Sequence, residues 1–215
     1  MTDHAAPDAL TRALLRCGVV AGPFYVVVAL LQMAIRDGFD IRRHALSLLS
    51  NGDLGWIQIA NFLISGLLVI ACAIGLRRAL RPGMGSTWGP WLVGTYGAGM
   101  LAAAVFVADP ALGFPPGTPD GPPTSITTHG ILHFVAGGVA FFALIAGCFV
   151  LARRFASLGQ RGWMTFSAAT GAIFLVSFIG IASGAGTVAI NIAFSLAILL
   201  VWTWIAALSA YLMSR

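Results

Sequence analysis

Six apolar runs, each near twenty residues long, divide this sequence at roughly 17–35, 56–76, 89–108, 129–152, 163–182 and 189–212. A helix rises about 1.5 Å per residue, so about 20 residues cross the ~30 Å hydrocarbon core of a bilayer. Backbone N–H and C=O groups find no water at that depth, and continuous apolar runs of this length satisfy them as helices. The expected fold is therefore all-α: a polytopic membrane bundle of six transmembrane helices. Only 9% of the 215 residues are charged, against about 25% in soluble domains. The net charge of +5 is then a matter of topology, and nucleic acid is not an expected partner.

The first run follows Arg12 and Arg16, as a secretory signal would, but Arg36-Asp37 comes after it without a small-residue cleavage site. It is read as the first span. Residues 1–16, including His4, form a polar N-terminal tail, and 17–215 form one six-helix domain. Counting arginines on alternate sides gives Arg12, Arg16, Arg77, Arg78, Arg81, Arg153, Arg154, Arg161 and Arg215 against Arg36, Arg42 and Arg43. The positive-inside rule then puts both termini in the cytoplasm, in a multi-pass bacterial inner-membrane protein. Cys17, Cys72 and Cys148 all fall at cytoplasmic span ends and read as small packing residues.

Polar residues concentrate at the other end. Gln58, Asn61 and Ser65 form a stripe down the outer half of the second span, and Asn191 and Ser195 occupy the outer half of the sixth. Gln58, Asn61, Asn191 and Ser195 are candidate pocket-lining residues. Residues 40–50 have apolar positions at helical spacing, which predicts a short amphipathic helix with His44 and Ser47 on one face. Asp109 ends the third span, where the negative end of the helix dipole disfavours a carboxylate and calls for a partner. The loop from Pro110 to Thr128 is broken by prolines and glycines and reads as a lid, a rim or a plain connection. His129 and His133 lie one turn apart at the start of the fourth span, with Gly137-Gly138 below them offering close approach to a helix or ligand.

Ionisable residues at membrane depth mark functional sites by default. Three imidazoles (His44, His129 and His133) suit a zinc ion with an open fourth position, and such a metal supplies hydroxide near neutral pH. In that arrangement Asp109 is the base or a carboxylate orienting a ligand, and Ser47 donates to the oxyanion. Helical pairs at this spacing also bind haem or hydrogen-bond their neighbours, and the Glu of the zinc-protease motif is missing.

Two resemblances attach to these residues. Arg43-His44-x-x-Ser47-x-Leu49, Asn61, Phe106-x-x-Asp109 and His129-Gly130-x-x-His133 resemble the bacterial six-helix membrane family called domain of unknown function 998, which implies a membrane fold and no activity. The set His44/Ser47, Asp109 and His129/His133 resembles the alkaline ceramidase and adiponectin-receptor superfamily of membrane hydrolases, which implies zinc and a lipid substrate. Here His precedes Ser, both lie before a span, and there are six helices instead of seven. The sharpest expectation is a zinc-dependent hydrolase of a lipid amide or ester, with membrane lipids as partners. The alternatives are a non-catalytic protein that binds or transports a small ligand, and an assembly partner whose histidines make structural hydrogen bonds.

Overall fold

A computed structural model describes residues 7–123, 125–184 and 186–215. His4 lies outside the described residues. Six α-helices account for most of them: α1 (Ala9–Ile35), α2 (Gly55–Ala79), α3 (Trp88–Val105), α4 (Thr128–Ser157), α5 (Arg161–Ala182) and α6 (Val188–Met213). Five of these, all but α3, are long and apolar enough to cross a membrane. The protein is an all-α, multi-pass membrane helix bundle.

Each helix packs against its neighbours in sequence, and α6 returns to α1, so the six close into a ring. Small residues set the helix separations. A Cβ on Gly18 of α1 would lie 2.3 Å from Ser209 Oγ of α6 and 2.4 Å from Cys72 Sγ of α2. At the α2–α3 contact, Gly66 and Gly97 each lie against the other's carbonyl, at 2.8 and 2.9 Å from a built Cβ. Gly137 and Gly138 have nothing within 4 Å of a built Cβ, so no neighbouring helix packs closely against them below the histidines.

Aromatic side chains fill the middle of the ring. Tyr25 of α1 meets Trp202 of α6 at 5.2 Å between centroids, and Trp202 meets Tyr96 of α3 at 5.8 Å. Phe141 of α4 contacts Phe174, Phe178 and Phe194 edge-on, joining α4, α5 and α6. Large apolar residues such as Phe134, Val139, Phe142 and Val176 point outward, as a lipid-facing surface requires.

At one end the arginines tie the helix termini to their connections. Arg78 bonds Thr11 and Asp8 at the start of α1, Arg77 donates to the Ser86 carbonyl, and Arg154 donates to the Met84 carbonyl. Asp8 also caps α1 by accepting from the Thr11 N–H, and these bonds pull its carboxyl down to about 2. At the other end, loops 36–54 and 106–127 fold over the ring as a cap. That cap holds His44, Ser47 and Asp109, and His129 and His133 lie next to it in the first two turns of α4.

Candidate functional site

The cap is two interlocked loops around a small apolar core of Leu48, Leu49, Ala108 and Phe114. The first loop contains a single 3₁₀ turn, Leu46–Ser50, in place of the amphipathic α-helix expected over 40–50. His44 lies before that turn, and Ser47 sits half-buried within it, so the two do not share a helix face. The difference has a local cause. The Asp40 carboxylate turns back on Arg42, accepting from its backbone N–H at 2.9 Å and from its guanidinium, while His44 accepts from the Asp40 N–H. Short polar side chains compete with helical bonding in this way.

His44 is 2% exposed, with its ring beside Phe39 and Phe114. Its Nδ1 accepts from the Asp40 N–H at 2.9 Å, which leaves Nε2 to carry the proton and donate to the Leu112 carbonyl at 3.0 Å. Leu112 has a left-handed backbone (φ 60°), and its N–H donates to the Gly121 carbonyl at 2.7 Å. His44 therefore pins the strained turn of the second loop, and neither ring nitrogen is free for a metal.

Arg36, at the end of α1, is the other link between the loops. Its guanidinium donates to the Leu49 carbonyl at 3.0 Å and to the Asn51 carbonyl, and lies over the Phe114 ring at 5.1 Å. Asn51 Nδ2 in turn donates to the Ala108 carbonyl at 3.1 Å. Burial disfavours the Arg36 charge and lowers its pKa, and the Asp53 carboxylate opposes this. Arg43 and Asp120 add an exposed ion pair across the same loops at 3.0 Å.

Asp109 finds its partner at the start of α4. α3 ends at Val105, and the chain turns so that the Asp109 carboxylate accepts from the Thr127 N–H at 3.0 Å and from Thr127 Oγ1 at 2.6 Å. Thr127 is the N-cap of α4 and itself accepts from the Gly130 N–H at 3.0 Å. The carboxylate thus rests on the positive end of a helix dipole, instead of the negative end inferred from the sequence. It forms part of a cleft of about 250 Å³, walled by Pro110, Pro119, Pro122 and Pro123.

His133, 8% exposed, donates from Nδ1 to the Phe106 carbonyl at 2.8 Å. That carbonyl is freed where α3 stops. His129 is exposed, and its ring meets the edge of Phe106 at 5.7 Å. The two histidines flank Phe106 as their spacing implies, but His44 belongs to the other contact, at Leu112. Among the described residues, no group of three or more His, Cys, Asp or Glu side chains is arranged to hold a metal ion. The expectation of zinc on His44, His129 and His133, and of a zinc-dependent lipid hydrolase with Asp109 and Ser47 in catalysis, is corrected accordingly. The donor set does not fit the ion, and the imidazoles that make bonds use them to hold backbone.

The family described as protein of unknown function (DUF998) matches residues 19–211. The chain belongs to this family. No curated protein and no solved structure matches it. The membership supplies no catalytic homology, so the resemblance to the membrane hydrolases is left without support.

Inside this DUF998 bundle, the polar stripe of α2 faces α1. Gln58, Asn61 and Ser65 are all buried, as is Gln32 of α1. Gln32 Nε2 donates to Gln58 Oε1 at 2.7 Å, and Asn61 Nδ2 donates to the same oxygen at 3.2 Å and to the Tyr25 carbonyl at 3.1 Å. Ser65 donates to Asn61 Oδ1 at 3.3 Å. The network leaves Gln32 Oε1 and Gln58 Nε2 buried without a partner. Asn191 and Ser195 bond back to their own helix, at the Thr187 and Asn191 carbonyls. Gln32 and Arg36 received no role from sequence. The signal available for Gln32 was its depth, one glutamine in an apolar span level with another in the next.

Proposed function

We propose that the protein is a non-catalytic membrane protein that binds a small molecule inside the outer half of its helix ring, at Gln32 and Gln58, with Asn61 beside them. All six helices cross the bilayer in this reading. α2 closes at the arginine end and α4 begins at the cap, so α3 has to traverse, and its 18 residues span about 27 Å. The arginine asymmetry supports cytoplasmic termini by the positive-inside rule, which in this reading turns the cap outward.

One observation carries the functional reading. Buried polar groups are paired in the great majority of cases, and an unpaired one costs about 1–3 kcal/mol. Here a bare acceptor, Gln32 Oε1, and a bare donor, Gln58 Nε2, sit on two amides that already bond each other. A ligand offering one donor and one acceptor completes both. His44, His133 and Asp109, by contrast, are spent on holding the cap.

The test is to purify wild type and the Gln32→Leu/Gln58→Leu variant from membranes in mild detergent and compare their organic extracts by mass spectrometry. A molecule near one equivalent in the wild type and missing from the variant is expected. A wild-type extract holding nothing beyond bulk lipid and detergent overturns the proposal.

A further inference from the structure

The arginine end of the bundle carries far more charge than it pairs. Hydrogen bonds join α2 to the start of α1, the turn at 80–87 to both α2 and α4, and the end of α6 to the start of α5. They gather nine arginines at one end, against a single aspartate side chain, Asp8, among the described residues. Asp8 pairs with Arg78 at 2.8 Å, and the other two ion pairs among the described residues belong to the cap.

Two of the unpaired arginines are fixed in position. α3 stands between α2 and α4 in the ring, and one arginine from each neighbour reaches the turn that leads into it. Arg77 of α2 donates from Nη1 to the Ser86 carbonyl at 2.7 Å, and Arg154 of α4 donates from Nη1 to the Met84 carbonyl at 2.7 Å. The turn lies against Arg154: a Cβ built on Gly83 would meet its Nη1 at 3.1 Å, and one built on Gly85 its Cβ at 3.6 Å. A guanidinium has five N–H donors. Among the described residues, Nε and Nη2 of Arg77 and of Arg154 make no bond, and no carboxylate pairs with either side chain. Both arginines are half-buried. Two cations held on one turn, with donors to spare and little side-chain freedom left to lose, are preorganised for an anion.

The depth of the turn identifies the anion's source. Trp88 and Trp91, one helical turn apart at the start of α3, are 69% and 67% exposed, and Met84 of the turn is exposed as well. Exposed tryptophans at the end of a membrane bundle lie in the headgroup layer, where one part of the ring meets hydrocarbon and the N–H meets water. An anion at that depth is a lipid phosphate. Phosphate oxygens match the guanidinium fork, and basic sites between helices at the membrane surface recognise lipid headgroups in this way. A zwitterionic headgroup brings its own cation to an end already crowded with arginine, which disfavours it.

We infer that the α2–α3 turn is a binding site for the headgroup of an anionic phospholipid, its phosphodiester held by Arg77 and Arg154 at the depth marked by Trp88 and Trp91. The site lies at the opposite end of the bundle from the cap. It does not rest on the binding reading given for Gln32 and Gln58.

The experiment titrates the purified full chain in mild detergent with dioleoylphosphatidylglycerol, dioleoylphosphatidylcholine and inorganic phosphate, read by native mass spectrometry and thermal shift. A saturable one-to-one phosphatidylglycerol adduct that raises the melting temperature is expected, with phosphatidylcholine at least about tenfold weaker, the factor that one hydrogen bond to a charged group supplies. Excess inorganic phosphate is expected to leave the adduct in place. Arg77→Gln/Arg154→Gln should lose at least about tenfold in affinity. Arg12→Gln/Arg161→Gln removes the same charge from two exposed arginines of the same end, and should lose less than about threefold. If the first pair melts below wild type without lipid, Arg77→Lys/Arg154→Lys is read in its place. It keeps the charge and one donor for each carbonyl, loses the fork, and should still lose more affinity than Arg12→Gln/Arg161→Gln. Equal losses at the two pairs of positions mark diffuse charge and overturn the assignment. Equal binding of the two lipids, displacement by inorganic phosphate, or no saturable adduct overturns it as well.

Discussion

Replacing Gly130 by alanine is a direct test of the contact that joins α3 to α4. A Cβ built there lies 2.0 Å from Asp109 Oδ2, 2.6 Å from Cγ and 3.1 Å from Oδ1. These distances are far inside van der Waals contact, so the carboxylate has to withdraw. It is held by the two bonds from Thr127, at 3.0 and 2.6 Å, and withdrawal breaks both. A hydrogen bond to a charged group contributes about 1.5–3 kcal/mol, so losing the pair costs roughly 3–5 kcal/mol. Alanine returns about 0.5–1 kcal/mol of backbone entropy. The net expectation is a destabilisation of about 2–4 kcal/mol, for a substitution that stabilises most helices. Removing the carboxylate removes the conflict. In an Asp109→Ala background the same change is expected to be neutral or to stabilise by up to about 1 kcal/mol. The four proteins form a double-mutant cycle, read by reversible unfolding in mixed micelles, with a coupling of about 2 kcal/mol or more. A Gly130→Ala protein as stable as wild type, or a cost unchanged in the Asp109→Ala background, refutes the placement of Asp109 on the α4 N-terminus.

Three further outcomes follow from the cap. Arg36→Lys should fail to rescue the loss seen in Arg36→Met, because an ammonium cannot serve the Leu49 and Asn51 carbonyls as a fork while lying over Phe114; faster amide exchange over residues 46–52 in both variants is the readout. The bonds from Arg42 hold the Asp40 carboxyl at about 2, so an NMR titration should find its midpoint there, returning toward 3.8 in Arg42→Gln. The sign is that of a depressed acid: the contribution of this pair is complete above about pH 3.8 and disappears as pH falls through 2. Chelation should leave the melting temperature unchanged, and zinc should not raise it; a saturable rise with zinc, abolished by His133→Ala, would contradict the hydrogen-bonded assignment of these imidazoles.

The helices were legible because each is a continuous apolar run, and the depth of the polar residues was legible for the same reason. Gln58 and Asn61 were placed on a buried stripe by their spacing alone, and the structure puts them there. The candidate metal site failed at a different level. Sequence gives residue type and depth, but His44 and His133 are distinguished by which carbonyl each finds, at Leu112 and Phe106. Those carbonyls are available because one turn is left-handed and one helix stops early, which are properties of the folded cap. Asp109 shows the same limit. Its position after α3 was read as an unfavourable helix end, while the three residues beyond Phe106 carry it to the opposite pole of the next helix. Arg36 went unassigned because an arginine just past a span looks like a topology signal until its guanidinium is found beneath Phe114.

The closure of the ring has a consequence for how the chain is made. Five of the six contacts around the ring join neighbours in sequence and can form as each span leaves the ribosome, whereas the α1–α6 seam joins the two ends. Until α6 arrives, the face of α1 bearing Gly18 and Gly22 lacks Ser209 and Trp202, and Tyr25 has only Phe62 of α2 as an aromatic neighbour. The seam is antiparallel, so the start of α1 and the end of α6 lie at the same end of the bundle. A chain cut at the Pro82-Gly83 turn and rejoined from Arg215 to Asp8 through a short linker would keep all six contacts while making α1 and α6 consecutive. In such a permuted chain the last seam to close would be the one between α2 and α3, where Gly66 and Gly97 meet.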